Sequence, residues 1–334
     1  MSIVYMGAFP PGYGGVTIKN RNLYLALQKE LPLKQVDFNQ VKRENIKEAM
    51  RFLFHVINPW DRLVIGVSGK ETRKRLTQLL YYFNRTAMKK SILIVMGGTA
   101  SHDMAIDSEY RKCAKAYKKI YVETPGMKAE MEKAGFENVA IYPNGRFRPT
   151  KPVPKVVSDG ILRCVFFSLI QPEKGADLVL EAAASLPQVQ FAFYGQIVDN
   201  YRESFLKDVN RLPNVSYQGV FQGSSEEVYA ELAKYDVLLL PTRWVAEGVP
   251  GILVEGKIAG LAEIVSNHNY NAEIVTDGYD GIVMKEYSSM ELSSAIQTFV
   301  NNNTLLKEMR CHSKKAGEGY FIENYLPEIV LCVK

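Results

Sequence analysis

Two glutamates in the second half of the chain have the type and spacing needed to handle a substrate that carries both hydroxyls and phosphates. Glu247 and Glu255 lie in the stretch PTRWVAEGVPGILVEGKIAGLAEIVS (241–266), with seven residues between them. The apolar run VLLL before this stretch predicts a buried parallel strand, and the segment after the turn GVPG predicts a helix. We therefore expect Glu247 at the carboxyl end of the strand and Glu255 within the helix.

The turn between the two glutamates predicts an anion site. Backbone N–H groups at the start of a helix point outward and favour a negative charge, ideally a phosphate. A carboxylate one or two turns into such a helix accepts hydrogen bonds from vicinal hydroxyls, as acidic residues do with ribose in dinucleotide-binding folds. The alternative interpretation is two surface glutamates on an ordinary strand–loop–helix unit. The backbone expected to face the anion belongs to Gly248, Val249, Pro250 and Gly251.

These residues, together with the downstream NYNAEIVTDGYDG (269–281), resemble the signature of the family 4 retaining glycosyltransferases, in the branch that builds bacterial surface polysaccharides. The resemblance implies that Glu247 faces the donor sugar and that Glu255 holds the donor ribose. Glu263 interrupts the apolar run LAEIVS, and a charge buried there requires a partner or a place at the exposed start of the strand. We assign no function to Glu263.

The resemblance continues upstream, in ILRCVFFSLIQPEKGADLVLEAAASL (161–186). It implies that Lys174 neutralises the donor diphosphate. Leu169 stands where many family members have an arginine, so one of the two usual phosphate cations is missing. Arg243 and Arg146 are the candidate substitutes.

A glycine loop in NVSYQGVF (214–221) also resembles the family. In the family this loop contacts the nucleotide base through its backbone. The resemblance therefore assigns base contacts to Gly219 and Val220.

The first half begins with a predicted strand, IVYMGAF, a glycine turn, PPGYGGV (10–16), and a helix from Thr17 onward. Glycines let backbone amides approach an anion closely, although an ordinary tight turn fits this pattern as well. The resemblance places Gly14 and Gly15 near the donor phosphates or the acceptor.

Another predicted strand of this half, SILIVMGG (91–98), is followed by His102. In α/β sheets ligands bind beyond the carboxyl ends of the strands. Some family members have a histidine near this position that contacts sugar or acceptor, and the resemblance extends that role to His102. A solvated loop histidine is the alternative.

The segment GKETRKRLTQLLYYFNRTAMKK (69–90) predicts one amphipathic helix with a basic polar side. Such a helix lies in a membrane interface with its cations on anionic lipids, or packs its apolar side on a sheet with a solvated charged face. Both interpretations remain open. The cations assigned to the acceptor or membrane side are Arg73, Lys74, Arg75, Lys89 and Lys90.

Composition indicates a globular protein with two unlike halves. The 334 residues exceed the usual size of a single core, so we expect two domains. Residues 1–150 hold 25 Lys and Arg against 13 Asp and Glu, a net of +12, whereas the remainder has a net of −7. The basic half suits nucleic acid, an anionic membrane or a phosphate-bearing acceptor, but no nucleic-acid motif accompanies it. The four cysteines show no paired spacing, which favours reduced thiols in the cytoplasm.

The resemblance covers nearly the whole chain and implies the GT-B fold, an α/β class with two Rossmann-like domains facing across a cleft. We expect an acceptor-side domain at 1–150, a donor domain at 151–315 and a terminal helix at 316–334 that crosses back. The implied reaction moves a sugar, UDP-linked by preference, to a glycan or lipid-linked hydroxyl with retention and without a metal or other cofactor. We expect a cytoplasmic protein that binds no nucleic acid, with peripheral attachment to the inner face of the cell membrane. A catalytically silent partner of another transferase and a nucleotide-sugar epimerase are the alternatives.

Overall fold

The structure is a computed structural model that describes residues 2–10, 14–42, 45–154, 159–245 and 247–334. The middle of the predicted glycine turn (11–13), part of the predicted crossover (155–158) and Ala246 lie outside the described residues. The chain divides into two compact units. The first comprises Met1–Arg148, Ala246–Val249 and Tyr320–Lys334, and the second comprises Pro149–Val245 and Pro250–Gly319.

The first unit is built on a six-stranded parallel sheet in the order β2-β1-β3-β4-β5-β6. Its strands are short apolar runs that are buried by helices, as the sequence pattern of parallel sheets requires. The strands are β1 (Ile3–Gly7), β2 (Leu33–Asp37), β3 (Arg62–Gly66), β4 (Ile92–Ile94), β5 (Lys119–Val122) and β6 (Val139–Ile141). The helices are α1 (Gly15–Glu30), α2 (Phe38–Lys42), α3 (Ile46–Ile57), α4 (Lys70–Phe83), α5 (Arg85–Met88), α6 (Ala100–Ile106), α7 (Ser108–Ala114) and α8 (Pro125–Lys133).

The second unit has its own six-stranded parallel sheet, in the order β12-β11-β10-β7-β8-β9. Its core joins the inner sides of the strands to the helices that cover them. The strands are β7 (Arg163–Phe167), β8 (Gln190–Tyr194), β9 (Val215–Gly219), β10 (Val237–Leu240), β11 (Ala262–Ser266) and β12 (Gly281–Met284). The helices are α9 (Ala176–Ser185), α10 (Arg202–Arg211), α11 (Glu227–Leu232), α12 (Gly251–Ala259), α13 (Asn271–Ile274), α14 (Ser289–Asn301) and α15 (Asn303–Gly317).

The last helix, α16 (Leu326–Val333), belongs to the first unit. Ile329 and Val333 are buried in that unit's core, beside the apolar side of α1. The Arg62 guanidinium donates a hydrogen bond to the Val333 carbonyl at 3.0 Å, which holds the end of the chain against β3.

The single helix predicted over 69–90 is two helices, α4 and α5, separated at Asn84. The Asn84 backbone leaves the helical region, with φ −146° and ψ 56°. Its side-chain oxygen accepts the Ala87 N–H, and its amide nitrogen donates to the Val56 carbonyl at 2.7 Å. Asparagine side chains compete for backbone groups in this way, and an amphipathic pattern does not reveal the break.

All four cysteines are free thiols. Cys113 and Cys164 are buried, whereas Cys311 is exposed. In the part of the chain that the structure describes, no helix is long and apolar enough to cross a membrane.

Candidate functional site

The sheet of the second unit has a topological switch point between β7 and β10. From β7 the chain proceeds outward to β8 and β9, then returns with β10 on the other side and continues to β11 and β12. The loops that follow β7 and β10 therefore leave the same edge of the sheet in opposite directions. Ligands of open α/β sheets bind at such crevices, beyond the carboxyl ends of the strands.

Backbone contacts join the two loops at this switch point. The turn Pro172–Lys174 ends at Gly175, whose φ of +85° suits glycine. A Cβ atom on Gly175 would lie 2.2 Å from the Pro241 carbonyl oxygen, so only glycine permits this approach. The Arg243 N–H donates to the Glu173 carbonyl at 2.9 Å. The conformation of one loop thus depends on that of the other.

Two cations stand on these joined loops, each against an aromatic ring. The Lys174 ammonium lies 5.7 Å from the centre of the Trp244 ring, and the Arg243 guanidinium lies 5.0 Å from that of Tyr287. Burial raises the pKa of Tyr287 to about 12, so its hydroxyl stays neutral and donates to the Pro172 carbonyl at 3.2 Å. Cation–π contacts of this kind orient a charge without neutralising it. The pair places two positive charges on the joined loops at the switch point.

Helix α12 begins directly after the loop that carries Arg243. Pro250 is its N-cap residue, and the Leu253 N–H closes the first turn on the Pro250 carbonyl at 3.1 Å. Leu253 and Val254 are buried, whereas Glu255 is half-buried on the second turn. The positive dipole end of the helix therefore lies at the switch-point edge, and Glu255 follows it on the second turn.

Other predicted residues of the second unit lie at the same edge of its sheet. Leu169, which stands where many family members have an arginine, follows β7 and is 40% exposed. Gly219 ends β9 with a φ of +79°, and Val220 beside it is exposed.

Glu247 belongs to the first unit, where its backbone packs on the loop after β4. A Cβ atom on Gly98 would lie 1.9 Å from the Glu247 carbonyl oxygen, and one on Gly248 would lie 2.5 Å from an oxygen of Glu123. Close backbone approach therefore requires glycine at position 98, whereas Gly248 leaves room for the buried Glu123 carboxylate. They hold Glu247 at the carboxyl end of β4, just before α6.

A buried polar network fixes the residues that follow Glu247. The Val249 N–H donates to Glu123 Oε2 at 3.1 Å, and Glu123 Oε1 pairs with the Lys19 ammonium at 2.6 Å. Asn144 donates to the Val249 carbonyl at 2.9 Å and accepts a hydrogen bond from Arg146 at 2.8 Å. The Val249 amide, expected to face a phosphate, is thus bound to a carboxylate. Arg146 is 1% exposed and bound to carbonyl oxygens, so it cannot replace the missing phosphate cation.

Sequence reasoning missed Lys19 and Asn20, which lie on the buried side of α1. Burial lowers the pKa of Lys19, in spite of the neighbouring Glu123 carboxylate. The Asn20 side chain donates to the Ala8 and Gly66 carbonyls, at 3.0 and 2.9 Å. Both residues precede the buried Leu23 by three or four positions, so helical spacing places them on the same side. This helical spacing was the feature of the sequence from which the burial of Lys19 and Asn20 could have been predicted.

The remaining site residues predicted in the first unit lie at the starts of α1 and α6. Gly14 and Gly15 are exposed at the start of α1, and a Cβ atom at either would meet nothing within 4 Å. His102 lies on α6, exposed, with Nδ1 2.8 Å from a Glu130 oxygen. His102 lies in the first turn of α6, which follows the loop that contacts Glu247.

The basic side predicted for α4 is partly internal. The Arg73 side chain is 2% exposed, donating to the Tyr110 hydroxyl at 2.8 Å and to Asp103 at 3.1 Å. The Lys74 ammonium pairs with Asp107 at 2.6 Å. These ion pairs fasten α4 to α6 and α7, so we withdraw Arg73 and Lys74 as lipid contacts. Arg75 and Lys89 are exposed, and Lys90 is half-buried.

The second unit matches a known family in sequence. Residues 157–317 match the family model described as glycosyl transferases group 1. The chain is 26% identical over 160 residues to an uncharacterized glycosyltransferase of Methanocaldococcus jannaschii, covering 47% of this chain and 43% of that protein. It is 27% identical over 125 residues to an uncharacterized 41.2 kDa protein in the cps region of Klebsiella pneumoniae, covering 37% and 32%. These matches span less than half the length of either relative.

The two units together match solved structures. HepE of Anabaena, crystallised in complex with UDP, superposes with a TM-score of 0.70 at 13% identity, covering 99% of this chain and 98% of HepE. The expected GT-B fold is thereby confirmed, with a parallel six-stranded sheet in each unit. Residues 157–317 are thus similar in sequence to the group 1 glycosyl transferases, and nearly the whole chain shares the fold of HepE.

Proposed function

We propose that this chain is a retaining glycosyltransferase, moving a sugar from a nucleotide-diphosphate donor to a hydroxyl of a glycan acceptor. The observation that carries the proposal is the group of charged elements at the switch point of the second unit. There Lys174, Arg243 and the start of α12 stand together, within the region that matches the group 1 glycosyl transferases. The likeness to the family and the positive charges at the switch point both support a nucleotide-diphosphate sugar as the substrate.

The donor is bound by its nucleotide. Lys174 and Arg243 neutralise the diphosphate, and Glu255 accepts hydrogen bonds from the ribose hydroxyls. Gly219 and Val220 contact the base through their backbone. UDP is the preferred nucleotide, because HepE has been crystallised with UDP and with UDP-glucose.

Transfer breaks the bond between the anomeric carbon and the β-phosphate oxygen, and negative charge builds on the diphosphate. Lys174 and Arg243 stabilise that charge most as it forms, which lowers the barrier rather than merely tightening binding. These two cations take the place of a divalent metal. Glu247 acts at the donor sugar, and the configuration at the anomeric carbon is retained.

The acceptor is a glycan or lipid-linked glycan of a cell-surface polysaccharide. The similar protein in the cps region of K. pneumoniae supports this choice. Gly14, Gly15 and His102 lie at helix starts on the first unit, which is the acceptor side in this proposal. An enzyme that acts on a lipid-linked acceptor must reach the membrane that holds it. The proposed function therefore includes peripheral attachment to the inner face of the cell membrane.

A thermal-shift screen with UDP, UDP-glucose, UDP-N-acetylglucosamine and GDP-mannose tests the proposal. A nucleotide at a hundred times its dissociation constant adds about 2.7 kcal/mol to the free energy of unfolding. We expect UDP and one UDP-sugar to stabilise the protein, and UDP release to require an acceptor. Glu247→Gln then abolishes release while UDP still binds.

Two other functions remain as outcomes of the same assays. A catalytically silent partner, which Leu169 in place of arginine favours, predicts no turnover with any donor. An epimerase predicts conversion of the donor sugar without acceptor. Either outcome contradicts the proposal.

A further inference from the structure

Helix α3 exposes a continuous apolar side to solvent. Five of its side chains are between 54% and 74% exposed: Ile46, Met50, Leu53, Phe54 and Ile57. With 3.6 residues per turn they share an arc of about 100° along the whole helix. We call this surface the α3 apolar face. Exposed apolar side chains usually occur singly, so a contiguous group indicates an interaction site.

The α3 apolar face is not the side by which the helix is held to its unit. That role belongs to Phe52, whose ring lies 5.2 Å from the Phe38 ring, and to Val56, which is 1% exposed. The buried His55 adds a contact between Nδ1 and Asp61 at 2.7 Å. Helix α3 therefore has two apolar sides, and only one is needed for folding.

Aromatic side chains extend the α3 apolar face at its end. Trp60 is 67% exposed and Phe83, at the end of α4, is 78% exposed. The hydrogen bond from Asn84 to the Val56 carbonyl brings the end of α4 beside the end of α3. Trp60 belongs to the residue types that favour the boundary between lipid and water.

Cations border this surface. Lys90 donates to the Pro59 carbonyl at 3.4 Å, with its ammonium 5.8 Å from the Trp60 ring. The acidic residue of α3, Glu48, accepts the Asp37 N–H at 3.0 Å and pairs with the Arg51 guanidinium at 3.0 Å. Apart from Arg51, the basic residues on α3 and on the segment after α4 are Lys47, Arg85, Lys89 and Lys90.

We propose that the α3 apolar face docks on an anionic lipid surface, with the helix lying in the interface and its bordering cations on the headgroups. Amphipathic helices with Trp, Phe and Leu on one side and Lys and Arg beside it bind membranes in this way. Each cation adds attraction to an anionic surface within a Debye length. A second copy of the chain would bring the same cations against each other, which opposes self-association.

This inference rests on the peripheral membrane attachment in the proposed function. It assigns that attachment to apolar contacts of α3 in addition to the attraction between charges. It does not depend on transferase activity, because vesicle binding is measured without nucleotide. It also replaces Arg73 and Lys74, which are held in ion pairs with Asp103 and Asp107, by exposed side chains of α3.

Vesicle sedimentation tests the inference with the full chain. The probes are vesicles of phosphatidylcholine alone and of phosphatidylcholine mixed with phosphatidylglycerol. The test variant carries Met50→Gln, Leu53→Gln, Phe54→Gln and Ile57→Gln. The control variant carries Met290→Gln and Leu331→Gln, at positions that are 77% and 73% exposed outside the α3 apolar face.

We expect the wild type and the control to bind the mixed vesicles, and the test variant to bind them at least about tenfold more weakly. Salt should weaken the wild type's binding without abolishing it, because the apolar contacts persist. Unfolding curves and UDP affinity should be the same for all three proteins. Equal loss in the control, or undiminished binding by the test variant, would overturn the inference.

Trp60 provides a direct readout of docking. The chain has two tryptophans, so Trp244→Phe leaves Trp60 as the sole reporter. Its emission should shift to shorter wavelength on mixed vesicles and be quenched by brominated lipid. An unchanged spectrum would refute insertion. Concentration-dependent dimers that the test variant abolishes, with no vesicle binding, would instead assign the α3 apolar face to a second copy.

Discussion

The ammonium group of Lys19 lies 2.6 Å from the Glu123 carboxylate, and both side chains are almost wholly buried. The other oxygen of this carboxylate accepts the Val249 N–H at 3.1 Å. One buried ion pair thus links the first helix of the chain to the segment that carries Glu247. Loss of this ion pair should lower the free energy of unfolding and displace the segment that carries Glu247.

Replacing Lys19 by methionine should lower the free energy of unfolding by roughly 3–5 kcal/mol, because Glu123 is left buried without its counter-charge. Urea unfolding measures the change. Arg21→Met, at an exposed position of the same helix, is the control and should cost little. Adding Glu123→Gln to Lys19→Met should recover part of the loss. A cost no larger than that of Arg21→Met would show that the pair contributes little.

Glu255→Ala should weaken binding of UDP by about tenfold or more, because a hydrogen bond to a charged group contributes roughly 1.5–3 kcal/mol. Titration calorimetry measures the affinity directly. Glu308→Ala, on an exposed part of α15, is the matched control. Unchanged UDP affinity in a folded Glu255→Ala protein would remove Glu255 from the nucleotide site.

Lys174→Ala should reduce turnover more than it reduces affinity for the intact donor, since its charge matters most as the diphosphate leaves. The comparison requires kcat and donor affinity measured on the same variant. Arg243→Ala should act in the same direction, because both cations stand on the joined loops. Near wild-type turnover for Lys174→Ala would identify Arg243 as the principal phosphate cation.

Stability should fall with rising pH on account of Glu263. Burial raises the pKa of Glu263 from 4.5 to about 8, although the Lys257 ammonium lies 3.3 Å away. The folded protein therefore keeps a proton that the unfolded chain releases between these values. The stabilisation is complete below pH 4.5 and is lost as the pH rises through 8, by up to about 1.4 kcal/mol per pH unit.

Glu263→Gln removes this titration while keeping the shape of the side chain. Its free energy of unfolding, minus that of the wild type, should grow between pH 5 and pH 8, and subtraction cancels the other titrating groups. Guanidinium chloride unfolding at several pH values provides the measurement. A difference that stays constant over this range would place the pKa of Glu263 near its ordinary value.

The elements around the candidate site followed from local sequence. The run VLLL is strand β10, with all four residues buried, and the segment after GVPG is α12. Glu255 is on that helix, as predicted. Periodicity and turn residues report the conformation of the adjacent backbone, and these features are decided within a few residues.

The tertiary structure decided which charged side chains are buried. Arg73 and Arg146 looked available for an anion, but their partners are Asp103, Tyr110 and Asn144, brought close by packing. Glu263 is buried beside Lys257, whose closer partner is Asp280 at 2.7 Å. A basic residue in an amphipathic pattern is equally compatible with solvent and with an ion pair.

The amino-acid sequence by itself determined that the chain consists of alternating strands and helices and which residue types follow the carboxyl ends of the strands. Only the tertiary structure decided that α3 turns Phe52 and Val56 inward and leaves Leu53, Phe54 and Ile57 in solvent. The physical reason is that hydrophobic periodicity marks a helix side as apolar without naming what covers it. The covering surface is supplied by residues distant in the chain. Whether those residues lie beside the helix depends on the topology of the sheet.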